Sequence, residues 1–318
     1  MRTLVTGATG FVGSRLVPEL RATGHDVSVL VRDAERYEPS AGVTVFEGDL
    51  LEPGSFEDAL EGIDVAYYLV HSMGSGAGFE ERDRRAAHNF ERAASAAGVD
   101  RIVYLSGLGD DSDRLSEHLR SRREVEAILA DGTAELTVLR AAIVVGDGSA
   151  SFQMIRQLVK RLPVMVTPRW VQTPCQPIAV DDVIAYLVGI LDVPETAGET
   201  YEIGGPDVLT YREMLVTTAR VFEGRAPTIV PVPVLSPRLS AYWVDLVTDV
   251  PASVAHPLIE GLENPVVVTD SRIERLVPVE LTPFETAVRR VREERSAAAA
   301  EGGVDELERP PADSSSSR

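Results

Sequence analysis

The sequence predicts an α/β fold, a doubly wound parallel sheet with a smaller C-terminal lobe. Three observations carry that expectation. The chain opens on a short β-branched run, Thr3-Leu4-Val5-Thr6, that passes through a glycine-punctuated turn into a helix-periodic segment. Strand and helix signals then alternate through the first half, and strands that recur across helical crossovers pair in parallel. With 318 residues, 44% of them hydrophobic, the chain can fill the core of such a sheet and still build a second lobe.

Candidate strands fall at 3–6, 27–32, 43–46, 65–70, 102–105 and 136–145, and helices fit between them near 11–22, 55–60, 79–97 and 116–130. Pro18 lies inside the first helix, where its missing N–H should kink or loosen one turn. Beyond Gly146 the regularity fades. Pro163, Pro168, Pro174 and Pro177 break the chain around Trp170, a helix is expected over 181–191, and a strand over 200–203. An apolar stretch over 231–247 includes Tyr242 and Trp243. It suits lobe core, a wall for an apolar or aromatic substrate, or a membrane-surface contact. The last segment, 297–318, ends Pro-Pro-Ala-Asp-Ser-Ser-Ser-Ser-Arg and is expected to be disordered.

The glycines after the first strand, Gly7, Gly10 and Gly13, follow G-x-x-G-x-x-G spacing within Thr6-Gly7-Ala8-Thr9-Gly10-Phe11-Val12-Gly13. Gly7 suits a turn that side chains forbid, Gly10 lets backbone close on a pyrophosphate, and Gly13 lets the helix pack against the strand. Free N–H groups at the helix start would meet the phosphates. Strand, glycines and helix in this order indicate a dinucleotide-binding turn, with Thr9, Phe11 and Val12 in the same loop. Residues 1–146 are therefore assigned to nucleotide binding, and 147–296 to a substrate lobe interleaved with that core.

At the end of the second strand stand Arg32 and Asp33, with Arg36 one turn on. Two guanidiniums could clamp the 2′-phosphate of NADP, whereas Asp33 could accept from the free 2′-hydroxyl of NAD. NADP is expected, with NAD open. Asp49, followed by Leu50 after the third strand, could accept from the adenine amino group or simply form a turn beside Gly48.

Composition bounds the rest. A formal net charge of -19 disfavours nucleic acid as a partner. Thirty of the 31 basic residues are arginines, Lys160 being the exception. This acidity fits a salt-rich cytoplasm and equally the codon bias of a GC-rich genome. Cys175 is the single cysteine, so a reducing, cytoplasmic setting is expected. The longest apolar run, 183–191, is too short to cross a membrane. No metal-ligand spacing or nucleophilic triad is evident. The oligomeric state leaves no trace in the sequence.

The glycine loop, Gly48-Asp49-Leu50, the run from Leu139 to Gly146, Gln176 to Val183, and Tyr201 to Pro206 together resemble the extended or atypical short-chain dehydrogenase/reductase superfamily. More narrowly, Tyr67 to Gly74 and His118 to Arg122 resemble an NmrA-like subgroup similar to the nucleotide-binding accessory subunit of respiratory complex I. The resemblance implies a Rossmann fold and bound NAD(P). It also implies a Tyr-x-x-x-Lys motif, which this chain lacks. Ser106 fits the family's strand-end hydroxyl, while His118 and Arg122 stand at the Tyr and Lys places.

Positions 118, 122, 125 and 129 share one helical face, and Val125 and Leu129 mark that face as inward. A neighbouring Arg122 cation would keep His118 neutral, suiting it to hydrogen bonding or base work rather than acid catalysis. In the competing structural reading, Arg122 pairs with Glu126 at i+4 and His118 is a packed helix residue. His71 and the Gly-rich loop 74–78 follow the fourth strand, where they would face the cofactor crevice. Arg114, Arg120 and Arg123 look like a solvated face. Two functions remain. One is an oxidoreductase or epimerase/dehydratase-like enzyme acting on a small organic substrate, with Ser106, His118 and Arg122 in its site. The other is a non-catalytic dinucleotide sensor or assembly factor.

Overall fold

The computed structural model describes residues 1–72, 78–109, 116–167, 169–231, 262 and 264–307. The β-branched and aromatic runs build strands β1 (Arg2–Thr6), β2 (Asp26–Val31), β3 (Thr44–Glu47), β4 (Val65–Tyr68), β5 (Arg101–Gly107) and β6 (Glu135–Ala141). A seventh strand, Thr200–Ile203, returns from late in the chain to flank β6. The sheet is parallel throughout and reads Thr200–Ile203, β6, β5, β4, β1, β2, β3. Strand order reverses between β1 and β4. Ligands of open parallel sheets bind outside the carboxyl ends of the strands at such a reversal.

Both faces of the sheet are covered, which is why β4 is buried along its whole length. On one face lie α1 (Gly13–Ala22) and α5 (Val180–Gly189), packing Leu16, Leu20, Val183 and Leu187. On the other lie α2 (Phe79–Ala97) and α3 (Glu117–Ala130), where Ala87, Ala94, Phe90 and Leu129 fill the space. The small alanines let α2 and α3 approach closely. The second lobe has its own core. Its main helices are α4 (Ala150–Arg161), α6 (Tyr211–Glu223) and the helix Phe284–Leu307, joined through Phe152, Met214, Leu215 and Val288. Serine or threonine caps start these elements: Ser116 for α3, Ser149 for α4, and a Thr210–Glu213 capping box for α6.

Several expectations shift in detail. The segment 55–60 makes a short 3₁₀ turn, Glu57–Leu60, rather than an α-helix. The strand expected over 136–145 divides. β6 ends at Ala141, and Val144–Val145 pairs with Ile178–Ala179 as the chain leaves the main sheet for the second lobe. α1 is continuous through Pro18, which lies on its exposed side. The helix Phe284–Leu307 runs past residue 297, where the sequence suggests a tail. The remainder of that tail, the glycine-rich residues 74–77, Arg114, Pro168 and nearly all of 231–247 lie outside the described residues. Among those described, no helix is long and apolar enough to cross a membrane.

Candidate active site

The glycine loop is shaped by backbone contacts that admit no side chain. Gly7 has φ +70, and a Cβ there would stand 2.7 Å from the Leu69 carbonyl oxygen at the end of β4. A Cβ on Gly13 would lie 2.3 Å from the Gly7 carbonyl oxygen. Gly13 therefore seats the helix on the loop backbone just beyond β1, rather than on the strand itself. The Gly10 N–H donates to the Gly7 carbonyl at 2.9 Å, closing the turn. α1 then begins behind Val12 with no side-chain cap. Ser14 N–H donates to the Gly10 carbonyl at 3.0 Å and Arg15 N–H to the Val12 carbonyl at 3.1 Å, so the amides left to face an anion are those of Phe11, Val12 and Gly13, whereas α3, α4 and α6 each give one of their first N–H groups to a hydroxyl. Phe11 folds over Gly146 and Gly148, and Arg15 stacks on the Phe11 ring while donating to the Asp147 carbonyl at 2.8 Å. The loop is thus tied to the second lobe.

A cavity of about 520 Å³ opens from this loop across the carboxyl ends of β4, β5 and β6 into the second lobe. Gly7, Gly10, Phe11, Val12 and Gly13 line one end. Ser106, His118, Arg122 and His71 line its middle. Ser106 is buried and its Oγ has no hydrogen-bond partner. Such an orphaned hydroxyl in a cavity wall fits one that waits for a ligand oxygen.

His118 and Arg122 meet as the i, i+4 spacing predicts. Arg122 Nε donates to His118 Nε2 at 3.3 Å, and Arg122 Nη1 donates to the Leu105 carbonyl at 3.0 Å. Acceptance at Nε2 leaves the imidazole proton on Nδ1. Burial, the Arg122 cation and nearby His71 hold the His118 pKa well below its ordinary value, so the ring is neutral. His71 keeps water contact at the cavity wall, and its pKa too is lowered by the surrounding protein and by Arg122.

The structural alternative for Arg122 is replaced by a different pairing. Glu126 takes Arg123 at 2.6 Å and Arg140, from β6, at 2.6 Å, all three side chains at least four-fifths covered. Arg123 is therefore part of a buried ion network and not a solvated residue. Behind Arg122 stands Asp83 of α2, which accepts from the Ser72 N–H at 2.7 Å and the Ser121 hydroxyl at 3.5 Å. Burial raises its pKa against those hydrogen bonds and the Arg122 charge.

Five of the other expected residues do not line the cavity. Thr9, Arg32 and Arg36 are exposed on the β1–β2 side of the loop. Arg36 is 3.1 Å from Asp33 in an exposed pair, which engages the acid that could have served NAD. Asp49 Oδ1 accepts the Leu51 N–H at 2.8 Å, so its carboxylate shapes the turn, and Leu50 is buried in the core.

Sequence reasoning missed Tyr104 of β5, whose buried ring lines the cavity beside Arg122 and whose pKa burial raises. It also missed the far wall, where Met154, Ile155, Leu158, Trp170, Tyr211 and Leu215 leave an apolar chamber. Those residues come from α4, α6 and a 3₁₀ turn and carry no common motif. Tyr104 could have been found from strand alternation, since it shares a face with Ser106.

A family described as NAD(P)H-binding matches residues 7–151. The chain is 30% identical over 227 residues to (4-alkanoyl-5-oxo-2,5-dihydrofuran-3-yl)methyl phosphate reductase of Streptomyces griseus, covering 69% of this chain and 73% of that one. It is also 30% identical to the Arabidopsis thaliana mitochondrial NADH dehydrogenase [ubiquinone] 1 alpha subcomplex subunit 9, over 66% of this chain but only 55% of that protein. In fold it is similar to triphenylmethane reductase of Citrobacter sp. complexed with NADP(H), with TM-score 0.73 and 20% identity, covering 92% of this chain and 100% of that one. A nicotinamide dinucleotide is the cofactor that this family binds. The chain belongs to the atypical short-chain dehydrogenase/reductase family, NmrA-like reductases, epimerases and dehydratases that are also similar to the complex I accessory subunit.

Proposed function

We propose that this protein is an NADP-preferring oxidoreductase that acts on the carbonyl or equivalent carbon of a small, largely apolar molecule. The observation that carries the reading is one continuous cavity. It joins the phosphate-binding turn to an apolar chamber, with the unpartnered Ser106 hydroxyl between them. Gly7, Gly10, Gly13 and the open start of α1 hold the diphosphate, and Arg32 at the end of β2 pairs with the 2′-phosphate. When bound, the nicotinamide supplies hydride chemistry.

The chain's own residues polarise the substrate oxygen, and the proton that this oxygen takes after hydride transfer comes from water entering at the exposed His71 side of the cavity. Ser106 donates to the substrate oxygen. His118, neutral and with its proton on Nδ1, is a second neutral donor, as an imidazole beside a cation must be. Arg122, fixed by the Leu105 carbonyl, contributes positive charge that needs no titration. The apolar wall excludes water from the developing charge.

The second reading, a dinucleotide sensor or assembly factor, draws on the missing Tyr-x-x-x-Lys motif and the likeness to a complex I subunit. One experiment separates the two. Purified protein with NADPH is offered a panel of alkyl ketones, aryl ketones, enones and quinones while NADPH absorbance is followed. Turnover that falls at least about 100-fold in Ser106→Ala, with NADPH affinity retained, supports the enzyme. Tight NADPH binding with no oxidation by any class supports the sensor.

A further inference from the structure

The chain carries 50 acidic residues in 318, yet none falls between Gly148 and Val180, where Arg156, Lys160, Arg161 and Arg169 stand. Residues 224–231 are also free of acid and include Arg225. The second lobe brings these two segments together. Strands Val164–Thr167 and Thr228–Pro231 pair in parallel as a two-stranded sheet, with Thr228 opposite Val164 and Val230 opposite Val166. Alternation sends Met165 and Ile229 into the lobe core, where both are buried. Val164, Val166, Thr228 and Val230 share the outer face, and the three valines are 56%, 47% and 45% exposed.

The sheet does not require valine there. Thr228 stands on the same face, so a polar β-former serves as well. Exposed apolar residues scattered singly need no explanation, but three gathered on one sheet face mark an interaction surface. Parallel pairing also places the charge. The residues before both strands lie at the same end of the sheet, where the Thr228 N–H donates to the Pro163 carbonyl at 3.0 Å. Lys160 and Arg161, closing α4, and Arg225 are exposed around that end. Glu223, the last residue of α6, is the acid nearest them in sequence.

We propose that this outer face is a docking surface for an anionic lipid membrane. Val164, Val166 and Val230 enter the headgroup boundary, and Lys160, Arg161 and Arg225 meet the negative headgroups. The net charge of -19 opposes a less specific approach and so orients the contact. An isologous dimer suits the face less well, because it would present the same surface to itself and offer no acid to the basic rim. Nucleic acid would meet the cations but leave the valines uncovered. This docking does not depend on the oxidoreductase reading.

Co-sedimentation of the purified full chain with phosphatidylcholine vesicles, pure or mixed equally with phosphatidylglycerol, tests it. The wild type should bind the mixed vesicles at least about tenfold tighter than the neutral ones, and added salt should shrink that difference. Val164→Ser/Val230→Ser should weaken binding by about tenfold, and Lys160→Gln/Arg225→Gln by about tenfold with a flatter salt dependence. Val208→Ser is the control: Val208 is 53% exposed but lies on neither strand, and the variant should bind as the wild type does. Circular dichroism should be unchanged in all three. Cys175 is buried, so an environment-sensitive thiol label on Val166→Cys reports on this face. Its emission should shift to the blue with mixed vesicles, and the same label on Val208→Cys should not. No binding to mixed vesicles, equal loss in Val208→Ser, or an unshifted label at 166 overturns the membrane surface. So does a lipid-free dimer that Val164→Ser/Val230→Ser dissociates, which would give the face to a second copy, or duplex DNA binding as tight as that of the vesicles at equal salt.

Discussion

Replacing Gly13 by alanine tests the cofactor cradle at its tightest point. The added methyl would stand 2.3 Å from the Gly7 carbonyl oxygen, 2.8 Å from the Gly7 carbonyl carbon and 2.9 Å from the Ala8 Cα. All three are backbone atoms, so no rotamer change relieves the contact. Ordinary contact begins at 3.4 Å, and the loop must retreat by roughly 1 Å to reach it. Overpacking of that kind costs about 1–3 kcal/mol of stability. A displacement of that size in groups that must converge on a diphosphate costs on the order of 100-fold in function. The matched control is Gly24→Ala, which has φ +88 but nothing within 4 Å of the new Cβ. It should lose about 1–2 kcal/mol through left-handed backbone strain alone and bind NADPH as the wild type does. NADPH fluorescence titration, with thermal melts and circular dichroism on each variant, reads both effects. A folded Gly13→Ala protein with wild-type NADPH affinity would refute the account of the loop.

Three further outcomes follow from the same geometry. Arg32→Ala should weaken NADPH binding by about tenfold or more while leaving NADH unchanged, because a charge-assisted hydrogen bond to phosphate is worth about 1.5–3 kcal/mol; equal loss for both nucleotides would contradict the assignment. Glu126→Gln should lower stability by about 1.5–3 kcal/mol in chemical denaturation, since it removes the shared carboxylate charge from the covered Arg123 and Arg140 while Arg123 keeps the Gly107 and Gly109 carbonyls; a change within about 0.5 kcal/mol would show that the network is dispensable. His118 titrates lower in the fold than in the unfolded chain. Its contribution to stability is therefore whole above about pH 6.5 and is lost as pH falls toward the folded-state value. His118→Asn should flatten that part of the stability–pH curve, and any NADPH-dependent turnover should show no His118 inflection between about pH 6.5 and 8. An unchanged stability slope in the variant would contradict a neutral His118.

What the sequence disclosed and what it withheld divide along a physical line. Features written in a few consecutive residues were legible. The Gly7–Gly13 turn is a matter of local backbone geometry, and helix periodicity alone brings His118, Arg122, Val125 and Leu129 to one face. Features that depend on tertiary neighbours were not. The i+4 rule offers Glu126 to Arg122, yet Arg140 arrives from β6 and Arg123 from i+3 to claim it. Asp49 has a backbone donor two residues on, at Leu51, which engages one of its carboxylate oxygens. The far wall draws on α4, α6 and the turn at Trp170, which no sequence window spans together. Gln176 shows the same limit within a recognised motif. It donates to the Gly205 carbonyl and accepts from the Val268 N–H, stitching three segments that lie far apart in the chain.

The proposed function requires the glycine turn and the uncapped start of α1 to hold a nicotinamide dinucleotide whose reactive ring reaches Ser106, His118 and Arg122. Calorimetric titration of the folded protein with NADPH, NADP⁺, NADH and NAD⁺ tests it most directly. Saturable heat with one nucleotide per chain is expected, with tighter binding of the phosphorylated pair. No heat with any of the four would contradict it.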